Sequence, residues 1–195
     1  GGSSFAQILN SLGGEVPTVK DPRYFADVFR TIQVLISKGK ILSGHDISAG
    51  GIITTLLEMC FSNVTGGAEI NLTSFGDSDT VKILLSQNPG IIIQVRDENE
   101  IAEILLELGI SYLSIGHPVT ERTLTVRNDG DEYLFDINNL RDKWFYSSYL
   151  LDRKQSGSKL AWERFLNYRN HALNFSHMGF QGTFRSLGIT PERRK

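Results

Sequence analysis

Two adjacent glycines constrain this chain more than any other feature. Gly50 and Gly51 stand between a short β-prone run, Lys40 to Gly44, and the apolar residues Ile52, Ile53, Leu56, Leu57 and Cys60. Spacings of three and four mark one face of a helix, and glycine admits backbone turns that side chains resist. The segment His45-Asp46-Ile47-Ser48-Ala49-Gly50-Gly51 therefore reads as a strand-to-helix turn, with Gly51, Thr54, Thr55 and Glu58 on the polar side of the helix. A chain built around such a junction carries both sheet and helix.

The flanking pattern agrees. Ser3-Ser4 opens a helix through Phe5, Ile8, Leu9 and Leu12 that Gly13-Gly14 stops, and Asp21-Pro22 caps a second one, running through Phe25, Phe29, Ile32 and Ile36 to Gly39. Ala68 to Leu72 predicts a strand, Asp79 to Ser86 a short helix, Ile91 to Val95 a strand buried on both faces, and Asn99 to Leu108 an amphipathic helix. Three strands follow, near 111–118, 122–127 and 132–136, the last two joined by the hairpin signal Asn128-Asp129-Gly130. This order predicts an α+β fold, a layered α/β sandwich with a mixed sheet closing in a β-meander, in preference to a doubly wound parallel sheet. From Asn138 to Ala172 two helical stretches break at Ser156-Gly157-Ser158, and from His177 the chain reads as an extended tail.

Composition narrows the function classes. With 195 residues, 40% of them hydrophobic, the chain can bury a core without disulfides. One cysteine and four scattered histidines point to a reduced, cytoplasmic protein without a zinc site. No apolar run approaches the about 20 residues of a membrane span, and a net charge of −2 argues against nucleic acid as a partner. The stretch from His177 to Lys195 is net +3 against this background. That contrast, with the absence of an initial Met, raises the expectation of a segment belonging to something longer.

The Gly-rich turn is the one dense cluster of chemistry. A helix N-terminus offers backbone N–H groups and a positive dipole to phosphate oxygens, Ser48 adds a hydroxyl, and Asp46 supplies the kind of oxygen ligand Mg²⁺ takes alongside phosphates and waters. The competing reading is a tight turn whose glycines serve only φ or packing, with Asp46 or Ser48 as a helix cap. A P-loop is excluded, because no Lys-Ser or Lys-Thr follows the glycines.

His45-Asp46-Ile47-Ser48-Ala49-Gly50-Gly51, followed by Thr55-Leu56-Leu57-Glu58-Met59, resembles the HDxSDGG and TLxEM signature of the phosphoribosylformylglycinamidine synthase family, within the aminoimidazole-ribonucleotide (AIR) synthase superfamily. Gly1 to Gln7 is similar to that family's LGGSxLAQ opening, Gly90 to Val95 to its GxxxQV strand, and Leu140-Arg141-Asp142-Lys143-Trp144 to its LRxxW helix. The resemblance implies an AIR-synthase C-terminal-domain fold, partly ferredoxin-like, over residues 1–137, a helical extension over 138–176, and a linker toward a glutaminase domain over 177–195. It also implies a share in an ATP-dependent glutamine amidotransferase of purine biosynthesis. Asp46 would hold Mg²⁺ and Ser48 would contact ATP or ADP phosphates, while His45, Gly50 and Gly51 would complete the nucleotide site. No catalytic residue is implied, and the partners would be a companion synthase N-terminal domain and a glutaminase domain of the same chain. Ala49 departs from the family's acid.

Two alternatives stay open: another ATP-dependent member of the superfamily, such as thiamine-monophosphate kinase or selenide-water dikinase, and a non-catalytic interaction domain. Glu58, two turns into its helix, reads as a structural polar residue, Cys60 as a core thiol, and His117, His171 and His177 as bystanders. The aromatic residues from Trp144 to Tyr168 read as packing.

Overall fold

The computed structural model describes residues 2–14, 16–170 and 182–183. Four aspartates begin helices where the capping rule places them. Asp21 accepts from the N–H groups of Arg23 and Tyr24 at the head of α2 (Pro22–Ser37), and Asp79 caps α4 (Thr80–Leu85). Asp97 caps α5 (Glu98–Glu107) and Asp136 caps α6 (Ile137–Ser156). Each satisfies donors that a helix leaves open at its first turn. The first helix, α1 (Ser4–Ile8), is a single capped turn instead of the longer helix expected. Asn10 enters the left-handed region, at φ 51°, and leaves Leu9 and Leu12 exposed.

Among the described residues six strands form two sheets. β1 (Ile41–Ile47) and β3 (Gly90–Val95) pair antiparallel as a ribbon, with His45 opposite Ile92 and Asp46 opposite Ile91. The second sheet is mixed, in the order β4-β2-β5-β6: β4 (Gly116–Val119) runs antiparallel to β2 (Gly67–Asn71), β2 runs parallel to β5 (Thr123–Asn128), and β5 turns back into β6 (Asp131–Asp136). The Asn-Asp-Gly hairpin forms as expected, with Asp129 and Gly130 both at positive φ. The β-meander does not. β2 inserts between β4 and β5, because the pairing of a strand with a distant segment is set by the shared core and not by its neighbours in sequence.

Two cores sandwich the ribbon. Ile52 and Leu56 of α3 (Gly51–Phe61), Ile83 and Leu84 of α4, Ile70, Leu124 and Val126 of the mixed sheet, and Ile137 of α6 form the first. Leu35 of α2, Ile101 and Leu105 of α5, and Ile110 form the second. Ile47 and Ile92 of the ribbon pack toward the first core, whereas Ile41, Ile93 and Val95 pack toward the second. β3 is nonetheless only half-buried, with Ile91 exposed, and this corrects the expectation of a strand buried on both faces. A ribbon of two strands leaves both its edges uncovered.

α6 and α7 (Ser158–Asn167) fold into a helical hairpin that breaks at Gly157, as the sequence indicates. Its aromatic residues pack on one another, with Phe145 stacked on Tyr168 at 4.1 Å and Trp162 edge-on to Tyr149 at 5.6 Å. Among the described residues no helix is long and apolar enough to cross a membrane. His171, His177 and all of the 177–195 stretch except 182–183 lie outside the described residues.

Candidate functional site

The β1–α3 junction is tighter than the sequence suggests. β1 runs on through His45, Asp46 and Ile47, so that only Ser48, Ala49 and Gly50 separate strand from helix. Gly50 adopts φ 89° and Gly51 φ 74°, a region that side chains disfavour. Both N–H groups are used internally. The Gly51 N–H donates to the Ser48 carbonyl at 3.0 Å. The Gln87 amide satisfies its surroundings with its oxygen turned inward, where it accepts from the N–H groups of Gly50 and Ser4, each at 2.9 Å, and from the Ser4 hydroxyl. A Cβ on Gly51 would lie 2.5 Å from the Leu84 carbonyl oxygen, so this glycine admits the end of α4 to the foot of α3.

Thr55 anchors the strand side of the turn. Its hydroxyl is shared between the carbonyl oxygens of Asp46, at 3.1 Å, and Gly51, at 3.2 Å. With only 2% of its surface exposed it faces the core, which corrects its assignment to the polar side of the helix. α3 is covered all round, so its inward face is wider than the apolar stripe and takes in a hydroxyl that bonds locally.

At the lip, the backbone of Asp46 is held while its carboxylate stands largely in solvent. The side chain is 75% exposed, and the His45 ring nitrogen Nδ1 lies 3.5 Å from Oδ1. That same nitrogen lies closer, at 2.8 Å, to the Asp46 backbone oxygen. His45 Nε2 is 3.3 Å from Glu58 Oε2, and the other Glu58 oxygen accepts from the Trp144 indole N–H at 3.1 Å. Ser48 and Ala49 are exposed on the outer side of the turn.

α6 grips α3 a second time. Arg141 Nη1 donates to the Asn63 carbonyl just beyond the C-terminus of α3, and Arg122 Nη1 donates to those of Cys60 and Gly66. Cationic groups suit a helix C-terminus. Asn138 Oδ1 accepts from both guanidinium groups. Burial, with Arg141 as a like-charged neighbour, pulls Arg122 below the usual arginine range, and burial pushes the Cys60 thiol up against a smaller opposite effect of Arg122. The Leu-Arg-x-x-Trp pattern thus has a physical content here: Arg141 closes one end of α3 while Trp144 reaches the residue that faces the turn.

The structure therefore brings His45, Asp46, Ser48, Gly50 and Gly51 into one continuous lip. Glu58 joins it through His45. Cys60 is half-buried on α3 against the first core, and His117 lies exposed on the edge strand β4. Gln87, Thr55 and Trp144 were not identified as parts of the site from sequence, and only their contacts reveal them. Among the described residues no group of three His, Cys, Asp or Glu side chains gathers to hold a metal by protein ligands alone. A single open carboxylate beside a hydroxyl still fits Mg²⁺, which keeps waters and takes phosphate oxygens for its remaining positions.

A mixed α+β fold with a glycine-opened helix facing an acidic strand end defines the class. Residues 1–127 match the family model of the AIR synthase related protein, C-terminal domain, and the chain belongs to that family. It is 32% identical over 98% of its length to a probable phosphoribosylformylglycinamidine synthase, chloroplastic/mitochondrial, of Arabidopsis thaliana, covering 14% of that protein. It is 30% identical over 96% of its length to a probable membrane antigen 75 of Saimiriine herpesvirus 2, again covering 14%. The chain thus spans about one seventh of each relative's length. In structure it is similar to Thermotoga maritima PurL complexed with ATP, with a TM-score of 0.56 and 17% identity over 64% of this chain and 23% of that one.

Proposed function

We propose that this chain forms part of a phosphoribosylformylglycinamidine synthase, the ATP-dependent ligase of de novo purine biosynthesis that converts formylglycinamide ribonucleotide to formylglycinamidine ribonucleotide with glutamine as amide donor. In this reading residues 1–137 are the AIR-synthase-type domain, 138–176 a helical extension, and 177–195 the link to a glutaminase domain. The segment helps form a Mg²⁺-ATP or Mg²⁺-ADP phosphate site, works with a companion synthase N-terminal domain in the cytoplasm, and is inactive alone.

The observation that carries the reading is Asp46. Its backbone oxygen is held by Thr55, yet three quarters of its carboxylate side chain faces solvent at the end of a strand. Asp46 would ligate Mg²⁺, and the neighbouring Ser48 hydroxyl would donate to a phosphate oxygen. The bound cation would neutralise phosphate charge. Gly50 and Gly51 shape the lip, since their own N–H groups are committed inside the chain, and His45 flanks the carboxylate. The family membership, the name of the Arabidopsis relative and the ATP complex of the T. maritima neighbour support this reading.

The test compares Mg-ADP retained by the full-length protein with that retained by Asp46→Ala. The substitution is expected to lower nucleotide content and, with it, thermal stability in the presence of ADP. Unchanged content together with unchanged stability would remove Asp46 from the site.

A further inference from the structure

We infer that Gln87 is a positioning residue for the Asp46 lip: its amide oxygen clamps the Gly50 peptide and the start of α1 together, and so fixes the turn that presents Ser48. The inference rests on the proposed phosphate site and deepens it.

The turn needs a clamp because it needs its glycine. Gly50 stands at φ 89°, and a Cβ on it would lie 2.1 Å from the Thr54 hydroxyl oxygen. No side chain can therefore stiffen this position, and glycine by itself admits many backbone conformations. Ser48 and Ala49, which precede it, are exposed. The Gly51 N–H is held within the turn, by the Ser48 carbonyl, whereas the Gly50 N–H is held from outside it, by Gln87.

The fold delivers Gln87 to that spot. Because Gly51 has no Cβ, the Leu84 and Ser86 carbonyl oxygens come within 2.5 and 2.8 Å of where one would stand. Gln87 is the next residue, and Asn88 and Pro89 lead from it into β3, whose Gly90 is paired with Ile47 at the end of β1. A side chain anchored between α4 and β3 thus reaches the head of α3. With its oxygen turned inward it accepts from the Gly50 and Ser4 N–H groups at 2.9 Å each and from the Ser4 hydroxyl at 3.0 Å; turned the other way, its NH₂ would face these three donors. α1 has no buried residue of its own to hold it, and this shared acceptor ties its first residue to the lip.

Without that oxygen three donors lose their partner at once. The Ala49–Gly50 peptide is then free to rotate, Ser48 loses its fixed place beside Asp46, and a ligand must order the turn as it binds. Gln87 acts through Gly50 and not on the ligand.

The experiment uses the full-length protein and two readouts: amide hydrogen exchange at Ser4 and Gly50 without ligand, and Mn²⁺-ADP affinity by electron paramagnetic resonance. Gln87→Met, similar in length but without an acceptor oxygen, is expected to speed exchange at both amides by about tenfold, the worth of one hydrogen bond. It is also expected to weaken Mn²⁺-ADP binding by about three- to tenfold, the cost of ordering a loosened segment. Gln87→Asn, one methylene shorter, withdraws the oxygen and is expected to act in the same direction, and it decides the matter if Gln87→Met does not fold. Gly109→Ala, a destabilising change at the end of α5, is the control and is expected to keep the parental affinity. Parental exchange at Gly50 in the Gln87 variants overturns the clamp, and faster exchange with parental Mn²⁺-ADP affinity overturns its positioning of the lip. Binding as weak in Gly109→Ala as in Gln87→Met overturns it too, because general destabilisation then accounts for the loss. Failure of the underlying reading looks different: the parent binds no Mn²⁺-ADP, or Asp46→Asn binds it as the parent does, while exchange at Gly50 still follows Gln87.

Discussion

Gly51→Ala is the sharpest probe of how this fold builds its lip. The substitution meets two costs of separate origin. At φ 74° the backbone lies where an L side chain is disfavoured by about 1–2 kcal/mol. The new Cβ would also sit 2.5 Å from the Leu84 carbonyl oxygen and 2.8 Å from both the Leu85 carbonyl carbon and the Ser86 carbonyl oxygen. These are backbone atoms at the end of α4, so relief requires α3 and α4 to part, an overpacking cost of about 1–3 kcal/mol. Together the loss is about 2–5 kcal/mol. Gly109 supplies the internal control. It ends α5 at φ 66°, and a Cβ there meets nothing within 4 Å, so Gly109→Ala carries the conformational cost alone, about 1–2 kcal/mol. Urea denaturation of the parent and the two variants measures both losses, and in a chain of this size each kcal/mol also lowers Tm by about 2–4 °C. Equal losses for Gly51→Ala and Gly109→Ala would refute the claim that α4 is packed against the foot of α3.

Two further outcomes follow from the same geometry. Thr55→Val removes the hydroxyl shared by the Asp46 and Gly51 carbonyl oxygens at nearly constant volume and should cost about 1–2 kcal/mol in denaturation, whereas Thr55→Ser should keep most of it. Burial raises the Cys60 pKa and the thiolate is the reactive form, so iodoacetamide at pH 8 should alkylate Cys60 more slowly in the native protein than in urea. Equal rates would place the thiol at the surface.

Much of the local structure was legible in the residues. Asp21 announced its helix as a cap and Asp79 opened another, because a capping carboxylate acts within three residues of itself, whereas Asp97 and Asp136 cap helices that the sequence reading began at Asn99 and Asn138. Asn128-Asp129-Gly130 announced its hairpin for the same reason of short range. The candidate lip was also legible, since His45 to Gly51 is contiguous and the backbone alone brings it together. What surrounds the lip was not. Gln87 reaches Ser4 and Gly50 across long sequence separations, and Glu58 meets Trp144 from 86 residues away. Such pairs depend on how elements pack, and no local pattern encodes that.

The sequence by itself determined the mixed α+β character, the approximate place of most helices and strands though not their ends, and the contiguous run His45 to Gly51 proposed as the phosphate site. Those choices are governed by capping, periodicity and glycine freedom, all of which act over a few residues. Only the tertiary structure decided that β2 lies between β4 and β5, that Thr55 turns inward, that the two glycine N–H groups are already taken, and that α6 reaches back to hold Glu58. Each of these is settled by burial and pairing between segments distant in the chain, where one shared core determines which polar groups stay free.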